Sequence, residues 1–130
     1  GPVVRVPEHG VRLDPAQQAL RARVEAALDE AGVGLLGDAA LAGLGADRKA
    51  TALLVRLGVL VPIAPGGYLG RATLEEAVAT LRRSFPDGRP FAASEAREAL
   101  GTPRRTLIPL LEHLDRTGVT VRQGDLRRLA

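Results

Sequence analysis

One eight-residue pattern occurs twice in this chain, 60 positions apart. Leu54-Val55-Arg56-Leu57-Gly58-Val59-Leu60-Val61 and Leu114-Asp115-Arg116-Thr117-Gly118-Val119-Thr120-Val121 share the form Leu-x-Arg-x-Gly-Val-x-Val. In each copy a helical pattern stops at a glycine, the residue that most easily turns left-handed to end a helix, and a strand pattern begins. Each copy also has Leu-Gly upstream, at Leu44-Gly45 and Leu100-Gly101, closing a shorter helix. A unit repeated at this spacing within 130 residues means two very small domains, read as 1–70 and 71–130.

The first unit opens with an extended lead-in from Val3 to Leu13. Asp14 then caps a helix that has Pro15 at its first position and Gln17 placed for a capping box. Leu20, Val24, Ala27, Leu28 and Ala31 make its inner stripe, and Gly32 ends it. Asp38 is expected to cap a short helix, and Asp47 a third with Ala50, Leu53, Leu54 and Leu57 on one face. Val59 to Ile63, Pro65-Gly66-Gly67 and Tyr68-Leu69 read as a hairpin.

The second unit repeats the order. Thr73 and Glu76 suggest a capping box for a helix with Leu74, Ala77, Val78, Leu81 and Phe85 inward. Pro86-Asp87-Gly88 reads as a turn, Phe91 as a short strand, and Ser94 as the cap of a short helix. Thr102 followed by Pro103 predicts an N-cap and first position for the third helix, with Leu107, Leu110, Leu111 and Leu114 inward. Pro109 either lies inside that helix or ends a separate turn before it. A hairpin with its turn at Gln123-Gly124-Asp125 closes the unit. Aromatic residues are only 2% of the chain, so the cores must be built from Leu, Val and Ala, which favours helices. The expected class is mostly α with small β-hairpins (α+β), as two tandem winged-helix domains.

Several functions find no residues to support them. With no cysteine, the chain has no disulfide framework, thiolate zinc site or Cys nucleophile. It contains no phosphate-binding Gly-x-x-x-x-Gly-Lys-Ser/Thr loop and no His-Glu-x-x-His, and His9 and His113 lie far apart. No catalytic residue, metal ligand or cofactor site is expected here. No apolar run reaches the roughly 20 residues of a membrane span. The lack of Met and the Gly1-Pro2 start suggest a piece of a longer protein.

Charge separates the two units. Residues 1–70 hold seven Lys or Arg against seven acids, whereas residues 71–130 hold eleven Arg against eight acids and supply the whole net charge of +3. Arg104 and Arg105 stand in the first turn of a helix, where cations oppose the dipole, so they point to a use outside the fold. Arg122, Arg127 and Arg128 flank the wing turn, Gly124 lets a backbone approach, and Asp125 offers an acceptor. The first wing is uncharged. Unit one thus reads as a spacer or adaptor, and unit two as the nucleic-acid reader. A DNA-binding transcriptional regulator and a protein-interaction winged helix are the rival readings.

At these residues the chain resembles a known family. Ala96 to Arg105, Ile108 to Glu112, Leu114 to Thr120 and Gly124-Asp125 are similar to the end of SelB, the bacterial selenocysteine-specific elongation factor. Pro7 to Leu13 and Gln17-Gln18 resemble the preceding winged helix more loosely. The resemblance implies a module that binds the selenocysteine insertion hairpin (SECIS) of a message, so that selenocysteinyl-tRNA is delivered at UGA on the ribosome. It implies a GTPase part, with GTP and magnesium, outside this chain, and a monomer in the cytoplasm. By motif it assigns RNA contact to Arg104, Arg105, Gly124, Asp125 and Arg127, with Arg122 and Arg128 on phosphate. The family often has Ser-Arg-Lys-Tyr where this chain has Pro103-Arg104-Arg105-Thr106, so an aromatic is missing.

Overall fold

The computed structural model describes residues 12–130; most of the lead-in expected from Val3 to Leu13, and with it most of the looser motif at Pro7 to Leu13, lies outside the described residues. The first unit is α1 (Pro15–Ala31), β1 (Leu36–Gly37), α2 (Asp38–Gly43), α3 (Arg48–Arg56), β2 (Leu60–Ala64) and β3 (Gly67–Gly70). The second is α4 (Arg71–Ser84), β4 (Phe91–Ala92), α5 (Ala93–Leu100), α6 (Arg104–Arg116), β5 (Thr120–Gln123) and β6 (Leu126–Leu129). Each unit closes a three-stranded antiparallel sheet, ordered β1-β3-β2 and β4-β6-β5. Helix, short strand, two helices and a hairpin is the winged-helix fold, present twice.

Local signals explain most of this. Asp14 accepts from the Gln17 N–H at 2.7 Å while the Gln17 side chain accepts from Asp14 N–H, the expected capping box. Asp47 accepts from the Ala50 N–H at 2.8 Å and starts α3. Gly58 and Gly118 have φ of 80° and 79° and turn each third helix into its hairpin. Helix α6 runs unbroken through Pro109, so the separate-turn alternative is not realised. It has 13 residues against 9 in α3, longer by about one turn.

Four expected caps are not formed. Asp38 and Ser94 each lie in the first turn of a helix capped one or two positions earlier, by Gly37 and Ala92. The Glu95 side chain instead accepts from the Ala92 N–H at 2.9 Å. Helix α4 begins at Arg71, two residues before Thr73, because β3 runs straight into it. Glu76 is then free to reach Arg83, at 3.4 Å. Thr102 is buried and donates to the Val33 carbonyl, which leaves Pro103 as the N-cap of α6.

The hairpin β2-β3 is covered on both faces. Leu60 joins Leu20, Val24, Leu28, Leu36, Leu41 and Leu54 in the first core. Val61, Ile63 and Leu69, pointing the other way as strand alternation requires, join Leu74, Leu81, Phe91, Leu107, Leu110, Leu111 and Leu114 in the second. The first wing is thus a wall of the second core. A strand buried on both sides reads as a continuous apolar run, and Val59-Leu60-Val61-Pro62-Ile63-Ala64 is one.

Candidate nucleic-acid interface

The start of α6 is built to face outward. Its N-cap is Pro103, with no side-chain hydrogen bond to the first turn and no acid within it. Arg104 and Arg105 are both exposed there. The helix start therefore offers uncapped N–H groups and two guanidinium groups at the end whose dipole already favours an anion. Ile108, one turn on, is 43% exposed.

The second basic group sits on the wing. Arg122 is exposed and its Nε–H donates to the Gly124 carbonyl at 3.1 Å, laying the side chain over the turn. Gly124 has φ of 63° with open space where a side chain would stand, so only its conformation demands glycine. Asp125 is exposed and Arg128 half-buried. In the hairpin register Val121 lies opposite Arg128 and Gln123 opposite Leu126. Strand alternation puts these four on one outer face, where Val121 is 37% and Leu126 41% exposed.

Arg127 is placed differently from its sequence expectation. It is only 5% exposed and points inward. Its Nε–H lies 3.1 Å from both Asp115 carboxylate oxygens, and its Nη2 lies 3.1 Å from Oδ2. The Thr120 hydroxyl donates to Asp115 Oδ1 at 2.6 Å. Partial burial pushes the Asp115 carboxyl up, but the Arg127 and Thr120 bonds and the charges of Arg127 and Arg122 outweigh it and hold it below the usual range. A buried guanidinium committed to a carboxylate serves the wing before any ligand.

Arg122, Gly124, Asp125, Arg127 and Arg128 are thus brought together on one hairpin, and Arg104 with Arg105 on one helical turn. Among the described residues no hydrogen bond or ion pair joins the two groups. They are linked through α6: the wing is fastened at Asp115, 11 residues after Arg104, or roughly 16 Å along the axis. Asp115 and Thr120 were not singled out from sequence. A signal existed, because they align with Val55 and Leu60 of the first copy, so polar residues stand at apolar places of the repeat. Among the described residues no group of three or more acidic or His side chains gathers as a metal site. No helix there is long and apolar enough to cross a membrane.

Comparison with known proteins points one way. Residues 86–129 match the family model described as elongation factor SelB, winged helix. A selenocysteine-specific elongation factor of Desulfomicrobium baculatum is 29% identical over 134 aligned positions, covering 98% of this chain and 21% of that protein. The chain therefore spans about a fifth of that relative's length. The crystal structure of a bacterial selenocysteine-specific elongation factor, EF-Sec, superposes with a TM-score of 0.77 at 23% identity, over 92% of this chain and 20% of that one. The mRNA-binding domain of SelB from E. coli, solved in complex with SECIS RNA, gives a TM-score of 0.70 at 26% identity, over 90% of this chain and 98% of that one. In fold, in motif and in the extent of these matches, the chain is similar to the C-terminal winged-helix region of the SelB family.

Proposed function

We propose that this chain is the mRNA-tethering module of a selenocysteine-specific elongation factor and binds a SECIS hairpin through its second winged helix. The observation that carries the reading is the likeness to a SelB domain solved with SECIS RNA, which the chain matches over almost that domain's whole length. The exposed Arg104 and Arg105 at an uncapped helix start, with Arg122, Gly124, Asp125 and Arg128 on the wing, supply the chemistry. Arginine gives planar donors for phosphate and base edges, and RNA sequence is legible mainly in loops and bulges where bases are unstacked. Arg127 enters as the support of the wing.

In this reading the module binds and does not catalyse. GTP hydrolysis with magnesium, selenocysteinyl-tRNA carriage and the ribosome belong to the rest of a longer cytoplasmic factor, and the tethered hairpin brings that factor to UGA. Titration against a pool-selected RNA hairpin and a DNA duplex of equal charge tests it. Preference for the hairpin by about tenfold or more at physiological salt is expected. Equal affinity for both marks the basic surface as a general polyanion site, and preference for the duplex favours the DNA-regulator reading.

A further inference from the structure

The two copies of the fold differ at three places that touch. Sheet register makes Tyr68 the counterpart of Arg127, since Tyr68 pairs with Leu36 of β1 as Arg127 pairs with Phe91 of β4. Leu60 opposite Gly70 corresponds to Thr120 opposite Leu129. Val55, one residue after Leu54 in the repeat, corresponds to Asp115, one residue after Leu114. The first copy thus fills these places with Val55, Leu60 and Tyr68, which pack with its apolar core. The second fills them with Asp115, Thr120 and Arg127, joined by bonds of 2.6 to 3.1 Å.

The comparison separates fold from use. A trio without charge, whose one polar group is the Tyr68 hydroxyl bonded to Asp38, makes this wing and its helix just as well, so the charged trio is not required for the winged helix to form. Burying a carboxylate and a guanidinium costs desolvation that an apolar set avoids, so such a pair is a poor source of stability and a good source of one fixed geometry. It is also directional. A carboxylate that accepts from Arg127 on β6 and from Thr120 on β5 fixes both strands of the hairpin to the last turn of α6. It also sits as a counter-charge beside Arg122, which lies directly opposite Arg127 in the register. Two arginines on adjacent strands would otherwise repel.

We propose that Asp115, through Arg127 and Thr120, is a positioning residue for RNA discrimination: it holds the wing at the angle and register at which Arg122, Gly124 and Asp125 meet the hairpin. The inference rests on the RNA-binding reading. It assigns function to residues that face away from the ligand, and it predicts a sign opposite to that of charge alone. Removing Asp115 raises the net positive charge of the domain, so simple electrostatics makes every RNA bind more tightly.

The test uses the full chain, with a hairpin selected from a pool of randomised RNA loops and a blunt RNA duplex of the same length. Asp115→Asn is expected to weaken the selected hairpin by about fivefold to tenfold while binding of the duplex holds or tightens. Asp115→Glu should recover part of the discrimination. The triple variant Asp115→Val, Thr120→Leu, Arg127→Tyr copies the first domain and leaves net charge unchanged, since one acid and one base leave together. It should fold, keep its duplex affinity and salt dependence, and lose most of its discrimination. A folded triple variant, or Asp115→Asn, that discriminates as the wild type does would overturn the proposal. Parallel loss on hairpin and duplex would overturn it too, by showing a merely structural role. If the wild type itself selects no hairpin over duplex, it is the RNA reading that fails.

Discussion

The Thr102 hydroxyl donates to the Val33 carbonyl at 3.2 Å, so the residue just before the N-cap of α6 is held by the loop that follows α1. This bond spans 69 positions and crosses from one winged helix to the other. Thr102 is 4% exposed, which leaves its methyl group packed and its hydroxyl with a single use. Thr102→Val keeps the shape and removes the donor. Urea denaturation should show a loss of about 1 kcal/mol, as for a buried carbonyl left without its partner. An unchanged midpoint would show that water takes the place of the hydroxyl.

The shared core predicts cooperative unfolding. Val61, Ile63 and Leu69 belong to the first unit by sequence and to the second core by packing. Ile63→Ala should cost about 2–4 kcal/mol, and calorimetry should show one transition moving as a whole. Two separate transitions, with only one shifted, would contradict the shared wall. For the same reason the binding experiments belong to the full chain: a cut after residue 70 removes three buried side chains from the second domain's core.

Pro109 lies inside α6 without ending it. Its ring removes the N–H that would bond to the Arg105 carbonyl, and its δ-carbon crowds the turn before it. Pro109→Ala should raise stability, by about 1 kcal/mol once the lost ring contacts are set against the restored bond. A lower melting temperature would mean that the ring's packing outweighs the helical bond.

Exposure sorts the arginines. Arg104→Ala should weaken the selected hairpin by about 1–3 kcal/mol and a duplex much less. Arg128→Ala, half-buried on the wing's outer face, should weaken both alike and lower the salt slope by about one counterion. Arg127→Ala should do neither first: it strips Asp115 of its partner, and the fold should lose roughly 2 kcal/mol in urea denaturation. An unaltered stability with a reduced salt slope would return Arg127 to the ligand.

Two titrations push stability the same way with pH. His113 is partly buried, and that burial, then the charge of Arg116, lowers its pKa. A depressed histidine binds its proton less well when folded, so stability falls as pH drops below about 6.5, the ordinary imidazole value. Asp115 is also depressed, so its contribution is present above the ordinary carboxylate range and is lost in stronger acid. Melting curves across pH should show His113→Gln flattening the upper step and Asp115→Asn the lower. Stability that rises on acidification to pH 6 would refute the sign for His113.

The sequence by itself determined whatever is encoded within a few residues. The capping box of Asp14 and Gln17, the Asp47 cap and the apolar stripes of α1, α4 and α6 follow from spacings of three and four. The stops at Gly58 and Gly118 follow from a backbone conformation that glycine adopts most easily. The basic helix start at Arg104 and Arg105 was legible because it breaks a local rule. Tertiary structure decided the rest, because it depends on what lies opposite. Thr102 left its helix for Val33 when a second domain offered a carbonyl. Helix α4 began early because β3 led into it. Val61 and Ile63 turned to a second core that only the packed pair of domains creates. Arg127 read as one more arginine on a basic wing; it points inward because Asp115, 12 residues earlier in the last turn of α6, stands against the sheet to receive it, and no local spacing records that meeting.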